Sequence, residues 1–337
     1  MQITNEPNIS NQTLLTIAIP TYNRAMYLDI CLKRIWDEIV SLSPLQRCLV
    51  KVYVSDNASA DDTPEVIVKY EEMMFGFFKG VRNNKNMGMD FNFSQCYEAA
   101  NSPYVWVFGD DDVLLPGGLA KVLNILIDNK IDLLYVNNYW FQNNYLEKPR
   151  KNEIHSLLIF KDALGFARRT NVMLTFLSGL IVRSGIGQHY RNEMDGSNLI
   201  QLSWVLPLLR DGKKFAVIED WVVAAKGSNS GGYGLIKVFG ENLQKICSTI
   251  LVDKPVLAKV IENGTIVNFF PSFVLVFRNG TSQFDDKNMI EGLRKAFNNN
   301  WRYYVFLAPL VHLPIKVTIY YNVFLKFFRR LFGWAVV

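Results

Sequence analysis

Residues 104–118 read YVWVFGDDDVLLPGG, and the fold turns on how this stretch is understood. An apolar, aromatic run from Tyr104 to Phe108 stops at Gly109 and gives way to Asp110, Asp111 and Asp112. A short buried strand ending in polar residues is how an open α/β sheet presents a ligand site, because ligands bind at the carboxyl ends of its strands. Three adjacent carboxylates repel one another unless a cation sits among them. A hard divalent cation, Mg²⁺ or Mn²⁺, shares itself between one or two carboxylates and substrate phosphates. The competing reading is a solvated acidic turn that caps a helix over 117–129.

Upstream, the same alternation repeats. Leu14–Ile19 is apolar and β-branched and stops at Pro20-Thr21, while residues 24–40 place apolar side chains at helical spacing. Val50–Ser55 is a second predicted strand, 62–74 a helix, 77–82 a strand and 89–100 a helix; 131–137 is a strand after the aspartates. This β-α-β-α order predicts a Rossmann-like, mainly parallel central sheet with helices on both faces. Further strands are expected at 177–183 and 215–225 and a helix at 198–210. After about residue 235 the chain becomes helical and apolar. The expected division is a catalytic domain over 1–234, with halves near 14–137 and 138–234, and a helical region over 235–337 with a basic, aromatic tail from 301.

Three more polar motifs fall at predicted strand ends. In Ile19-Pro20-Thr21-Tyr22-Asn23-Arg24, backbone NH groups suit a phosphate or base, Tyr22 can stack on a ring and Arg24 can pair with phosphate; an ordinary helix start explains them too. In Ser55-Asp56-Asn57-Ala58-Ser59, Asp56 can accept from a base NH or a ribose hydroxyl, or simply close an Asx-turn. In Asn86-Met87-Gly88-Met89-Asp90, Gly88 lets backbone approach a ligand closely, or marks a turn with Asp90 as helix cap.

Taken together, IPTYNR, SDNASADDT, NKNMGMD and FGDDDVLLPGG, in this order, resemble the donor half of family 2 glycosyltransferases of the GT-A fold. FGDD, LSGLIVR and KGSNS are similar to the abequosyltransferase-like branch, which works on O-antigen and other lipid-linked surface glycans. The resemblance implies transfer of a sugar, with a deoxy- or dideoxyhexose in view, from a nucleoside-diphosphate donor to a lipid-linked oligosaccharide. By it Pro20, Thr21, Tyr22, Arg24, Asp56, Asn86, Gly88, Asp90 and Asp110 line the nucleotide-sugar site. Asp111 is the main metal ligand, with Asp112 in support. Many members begin the acidic motif with Asp where this chain has Gly109. The resemblance also places a catalytic base 80–100 residues after the metal motif, where Asp195 stands in Arg191-Asn192-Glu193-Met194-Asp195-Gly196-Ser197; a plain helix-start charge is the alternative. The loop Lys226–Gly232 is a candidate lid over the donor.

Composition narrows the field. The 337 residues are half hydrophobic and a fifth charged, with a net charge of +5. That charge is mild, and no nucleic-acid-reading motif is present, so no nucleic-acid partner is expected. Four scattered cysteines form neither a zinc pattern nor a disulfide framework, which fits a reducing compartment. The start MQITNEPNISNQTLL lacks the basic and apolar parts of a secretory signal, and no run of about 20 apolar residues occurs. A cytoplasmic protein is expected, held on the cytoplasmic face of the inner (plasma) membrane. The means would be the tail: 301–337 has no acidic residue and is dense in aromatics. Thr318, Asn322, Lys326, Arg329 and Arg330 fall on one stripe of a helix otherwise apolar, a pattern that suits the headgroup region or packing against protein. Two other functions carry this sheet order: a non-catalytic nucleotide-binding or scaffold protein, and a nucleotidyltransferase. The second normally has a Gly-rich, Arg-containing loop after its first strand, which IPTYNR lacks.

Overall fold

β-Branched and aromatic runs without polar alternation bury both faces of a strand, the habit of central parallel strands. The computed structural model of the protein, which describes residues 13–149, 156–227, 232–280, 284 and 288–332, shows such strands in β1 (Leu15–Thr21) and β4 (Tyr104–Val107). The remaining strands are β2 (Val50–Asp56), β3 (Phe78–Arg82), β5 (Val113–Leu114), β6 (Leu133–Phe141), β7 (Leu157–Phe160), β8 (Leu180–Arg183) and β9 (Phe215–Lys226). The sheet runs β3-β2-β1-β4-β8-β6-β9-β5.

The expected parallel sheet is present as β3-β2-β1-β4, where every pairing is parallel. Beyond β4 the sheet is mixed: β4 with β8, β8 with β6 and β5 with β9 are antiparallel. The reason is connectivity. A parallel neighbour needs a crossover, which the helices α1 (Ala25–Ser41), α2 (Pro44–Arg47), α3 (Thr63–Met73) and α4 (Met89–Glu98) supply in the first half. α5 (Gly118–Asp128) carries the chain on from β5 to β6.

The chain divides into two compact units. The first holds residues up to 157 with Leu177–Gly185 and Ile218–Lys226; the second holds Leu158–Phe176, Ile186–Val217 and Gly227 onward. In the first unit, α1 buries Leu28, Cys31, Leu32, Ile35 and Ile39, the stripe its helical spacing predicts. α5 begins at Gly117, whose φ of 75° lies in the left-handed region, and it has no cap of its own. Glu38 of α1 supplies one: its carboxylate accepts from Gly117 N at 3.1 Å and Leu119 N at 3.3 Å. An anion at a helix N-terminus satisfies orphan NH groups and complements the dipole. Burial pushes the Glu38 carboxyl above its ordinary value, against the opposing pull of those NH groups and Arg34.

The second unit is helical. Its core joins Leu235, Ile266, Phe270, Val274, Leu293, Phe297, Phe306, Leu310 and Leu325. Wide π-type turns interrupt the helices at Ile236–Asn242, Thr265–Phe269 and Tyr303–Leu307. Among the described residues, the 24-residue stretch Pro255–Arg278 is long and apolar enough to cross a membrane, yet 56% of its most apolar window is buried, as in a core helix.

Glu38→Ala should lower stability by about 1–3 kcal/mol, because it strands the Gly117 NH and the buried Leu119 NH at the start of α5. Glu38→Gln, which keeps an acceptor, should cost less. Urea melts with an unchanged slope and a shifted midpoint are the measurement.

Candidate functional site

The parallel register sets Thr21, Asp56 and Arg82 side by side at the carboxyl ends of β1, β2 and β3. β4 continues past Val107, with Phe108 N bonded to Ala18 O at 2.8 Å, and this carries the three aspartates to the same edge. Four sequence-predicted motifs therefore meet along one sheet edge of the first unit.

The three aspartates do not share one set of anchors: Asp110 and Asp111 meet at Arg24, and Asp112 turns elsewhere. Asp110 is buried, accepts from the Thr21 hydroxyl at 2.7 Å and faces Arg24 Nη1 at 3.4 Å. Asp111 takes the same guanidinium nitrogen at 2.6 Å. Asp112 is also buried, with Lys226 N donating to it at 2.8 Å and the Ser178 hydroxyl bonded to it. Arg24, expected to meet phosphate, thus bridges two of the aspartates, and its pKa lies above the ordinary value although burial works the other way. Burial first, and the neighbouring Asp111 second, push the Asp110 carboxyl up to about 7, while Arg24 and Thr21 pull it back. Burial and Asp111 drive Asp112 further in the same direction. The same negative field raises the buried Cys31 thiol, whose principal cause is burial itself.

Gly109 explains how the row packs. Its NH donates to Ser178 Oγ at 2.8 Å. A Cβ built on it would stand 3.1 Å from Asp112 Oδ2, 3.3 Å from Asp111 Oδ1 and 3.3 Å from Ser178 Oγ. Three oxygens therefore surround a small cradle that any larger residue would fill. Among the described residues no cluster of three or more His, Cys, Asp or Glu side chains is arranged to hold a metal ion. The cradle offers two carboxylates and a hydroxyl, a donor set that suits a hard cation whose remaining ligands come from phosphates and water.

The Asx-turn and ligand readings of Asp56 both have support in its surroundings. Its Oδ1 accepts from Ser59 N at 2.9 Å, which closes the turn, while the fully buried Oδ2 has no hydrogen bond and lies 3.4 Å from Arg82 Nε. Asn57, next along, ties the third motif in place. Its amide donates to Asn86 Oδ1 at 2.8 Å and Gly88 O at 3.1 Å, and its oxygen accepts from Met87 N and Asn83 Nδ2. Gly88 holds φ at 90°, a conformation that needs glycine, and it caps α4 where Asp90 was expected to; Asp90 is buried in the first turn. The IPTYNR turn is held likewise: Asn23 sits at φ 53°, and Ser59, Thr63 and Asp61 accept from the NH groups of Asn23, Arg24 and Ala25. Tyr22 stays exposed and Pro20 is buried in the strand.

Asp195 belongs to the second unit. It is exposed in the turn after Arg191–Met194, and the next helix starts at Leu202, later than 198, so Asp195 heads no helix. The Glu219-Asp220 pair lies in β9, as its strand-like run suggested; Asp220 pairs with Lys121 at 2.8 Å and Glu219 bonds to the Ser156 hydroxyl. Four residues of the lid candidate, Ser228–Gly231, lie outside the described residues. Ser178 and Asn57 are the partners that sequence reasoning passed over. Both stood inside quoted motifs, SDNASADDT and LSGLIVR, but nothing local to Leu177-Ser178-Gly179 signals a partner for residues 109–112.

Comparison with known proteins adds the following. The model of "Glycosyl transferase family 2" matches residues 16–186. The abequosyltransferase RfbV of Salmonella typhimurium (strain LT2) is 35% identical over 120 residues, 36% of this chain and 34% of that protein. The GalNAc(5)-diNAcBac-PP-undecaprenol beta-1,3-glucosyltransferase of Campylobacter jejuni is 27% identical over 117 residues, 32% of this chain and 33% of that protein. The match thus spans about a third of the length of these curated relatives. Among solved structures, S. aureus TarS 1-349 in complex with UDP aligns with a TM-score of 0.60 at 14% identity, over 94% of this chain and 92% of that one. This likeness shows the GT-A fold.

A pH dependence follows from Asp110. Its folded pKa of about 7 exceeds the ordinary aspartate value of about 4, so its stabilising contribution is complete below about pH 4 and is lost as pH rises through 7. The ligand-free protein should lose stability between pH 5 and pH 8, and Asp110→Asn should flatten that change. Thermal melts of both proteins at the two pH values test it.

Proposed function

The chain belongs to glycosyl transferase family 2, and from that premise we propose that it moves a sugar from a nucleoside-diphosphate donor to a lipid-linked oligosaccharide in surface-polysaccharide synthesis. The observation that carries this reading is the line of Thr21, Arg24, Asp56 and Asp110–Asp112 at one sheet edge. A deoxy- or dideoxyhexose donor is favoured by the abequosyltransferase among the relatives, and a lipid-linked acceptor by the undecaprenol-linked substrate named for another. Work at the cytoplasmic face of the membrane, with peripheral contact through the C-terminal tail, suits such an acceptor.

Each residue has a task in this scheme. Asp56, whose Oδ2 makes no hydrogen bond and lies beside Arg82, would accept from the imide NH of a base or from a ribose hydroxyl. Tyr22 offers an exposed ring, and the loop held by Asn57 presents Asn86 and Gly88 to the ribose or diphosphate. Arg24 already balances Asp110 and Asp111; an incoming diphosphate would compete for its guanidinium, and Asp111 would then take another cation in its place. Asp111 and Asp112, with Ser178 beside them, would hold Mg²⁺ or Mn²⁺. Such an ion offsets charge on a departing diphosphate, an effect on the order of several kcal/mol in a transition state. Asp195 is the candidate for taking the acceptor hydroxyl's proton, and its exposure leaves it open to solvent and substrate.

Diphosphate release from a panel of nucleotide sugars, with and without Mn²⁺, tests the reading. Release with at least one donor is expected; none with any donor, acceptor present or absent, would favour a non-catalytic nucleotide-binding protein. Asp111→Ala should abolish ion-dependent turnover, and survival of both turnover and ion dependence would remove it as a ligand. Gly109→Ala should fill the cradle and weaken ion-dependent nucleotide affinity while sparing the melting temperature. Asp56→Ala should weaken nucleotide binding by about tenfold or more, as the loss of a charge-assisted hydrogen bond would, read by calorimetry.

A further inference from the structure

The C-terminal helix Ile315–Phe332 is turned inside out relative to a helix of a soluble protein. The first two residues of its polar stripe point inward: Thr318 is 0% exposed and Asn322 5%, beside Leu325 at 2%. Thr318 Oγ1 accepts from Arg278 Nη1 at 2.9 Å and lies within 3.2 Å of the carbonyls of Leu313 and Pro314. Arg278 Nη1 also donates to Leu310 O at 2.6 Å, so one guanidinium pins the start of the helix in this orientation. The apolar side chains face outward. Val317, Ile319, Val323 and Phe324 are exposed, with Tyr320 at 78% and Phe327 at 59%. Tyr321 Oη donates to Val305 O at 2.8 Å, which joins the helix to a segment with its own exposed Trp301, Tyr304 and Val305.

We infer that this outward face is the surface by which the protein sits in the headgroup region of an anionic bilayer. The inference rests on the proposed meeting with a lipid-linked acceptor and deepens it by naming the face. Contiguous exposed apolar surface of this kind is an interaction site. Its chemistry selects lipid: Lys316 and Lys326 are exposed on the same helix, and residues 301–337 contain no acidic side chain. Trp and Tyr, apolar with a polar tip, favour the membrane–water boundary. A second copy is a poor occupant, because two-fold pairing would set these lysines against each other with no carboxylate of the segment to balance them. The helix lies on the membrane rather than across it, because Thr318, Asn322 and Leu325 are committed to the protein interior.

Vesicle flotation of the full chain tests this, comparing phosphatidylcholine alone with phosphatidylcholine containing phosphatidylglycerol. The protein should float with the anionic vesicles. Phe324→Asp/Phe327→Asp, and separately Lys316→Glu/Lys326→Glu, should reduce that partition by about tenfold or more. Both pairs are exposed, and matching thermal melts would show the fold intact. Undiminished flotation of both variants would overturn the face assignment while leaving membrane attachment standing; no flotation of the wild type would remove both. A lipid-free dimer dissociated by Phe324→Asp/Phe327→Asp would give the face to a second copy and overturn the proposal. Diphosphate release measured without vesicles keeps the catalytic reading separate from all of these.

Discussion

Arg24 reaching across to Asp110 and Asp111 is the interaction on which the sheet-edge site depends. Three consecutive carboxylates, two of them buried, could not be kept together without compensation, because removing charge from water costs several kcal/mol per ion unless it is paired. The protein solves this by dividing the row. Asp110 turns to Thr21 and Arg24, Asp111 shares the guanidinium, and Asp112 turns to Lys226 N and Ser178. Burial, with Asp111 alongside, raises the Asp110 and Asp112 carboxyls above the ordinary carboxylate range.

Around that row, the loops are organised by side chains that satisfy backbone NH groups. Asn57 holds residues 83–88, Ser59 and Thr63 hold the turn after β1, and Glu38 holds the start of α5. Each loop is thereby pinned by a neighbour in space rather than by its own cap. Such cross-bracing suits a binding site, since bound geometry is set before the ligand arrives and less ordering entropy is lost on binding. Gly109 fits the same plan: its missing side chain leaves the gap between Asp111, Asp112 and Ser178 open.

The C-terminal helix follows a different balance. Its apolar face outweighs what the second unit can cover; of its two buried polar side chains, Thr318 is satisfied through Arg278, whereas Asn322 Oδ1 has no hydrogen bond. Burying Thr318 rather than Phe324 forfeits hydrophobic stabilisation in water. That loss is recovered if another apolar phase covers the outward face.

The parallel half of the sheet was legible in the sequence because its strands are unbroken β-branched runs and its helices carry period-matched stripes. The four polar motifs declared themselves by standing where those runs stop. Local pattern could not show which partner each polar group would take. The pairing of Arg24 with Asp110 and Asp111, the link from Ser178 to Gly109 across 69 positions, and the antiparallel strands past β4 are long-range choices. The helical stripe that begins with Thr318 and Asn322 was visible too, but the direction those two side chains take was not. Periodicity fixes which residues share a face, whereas only packing against Arg278 and Leu310 decides whether that face looks in or out.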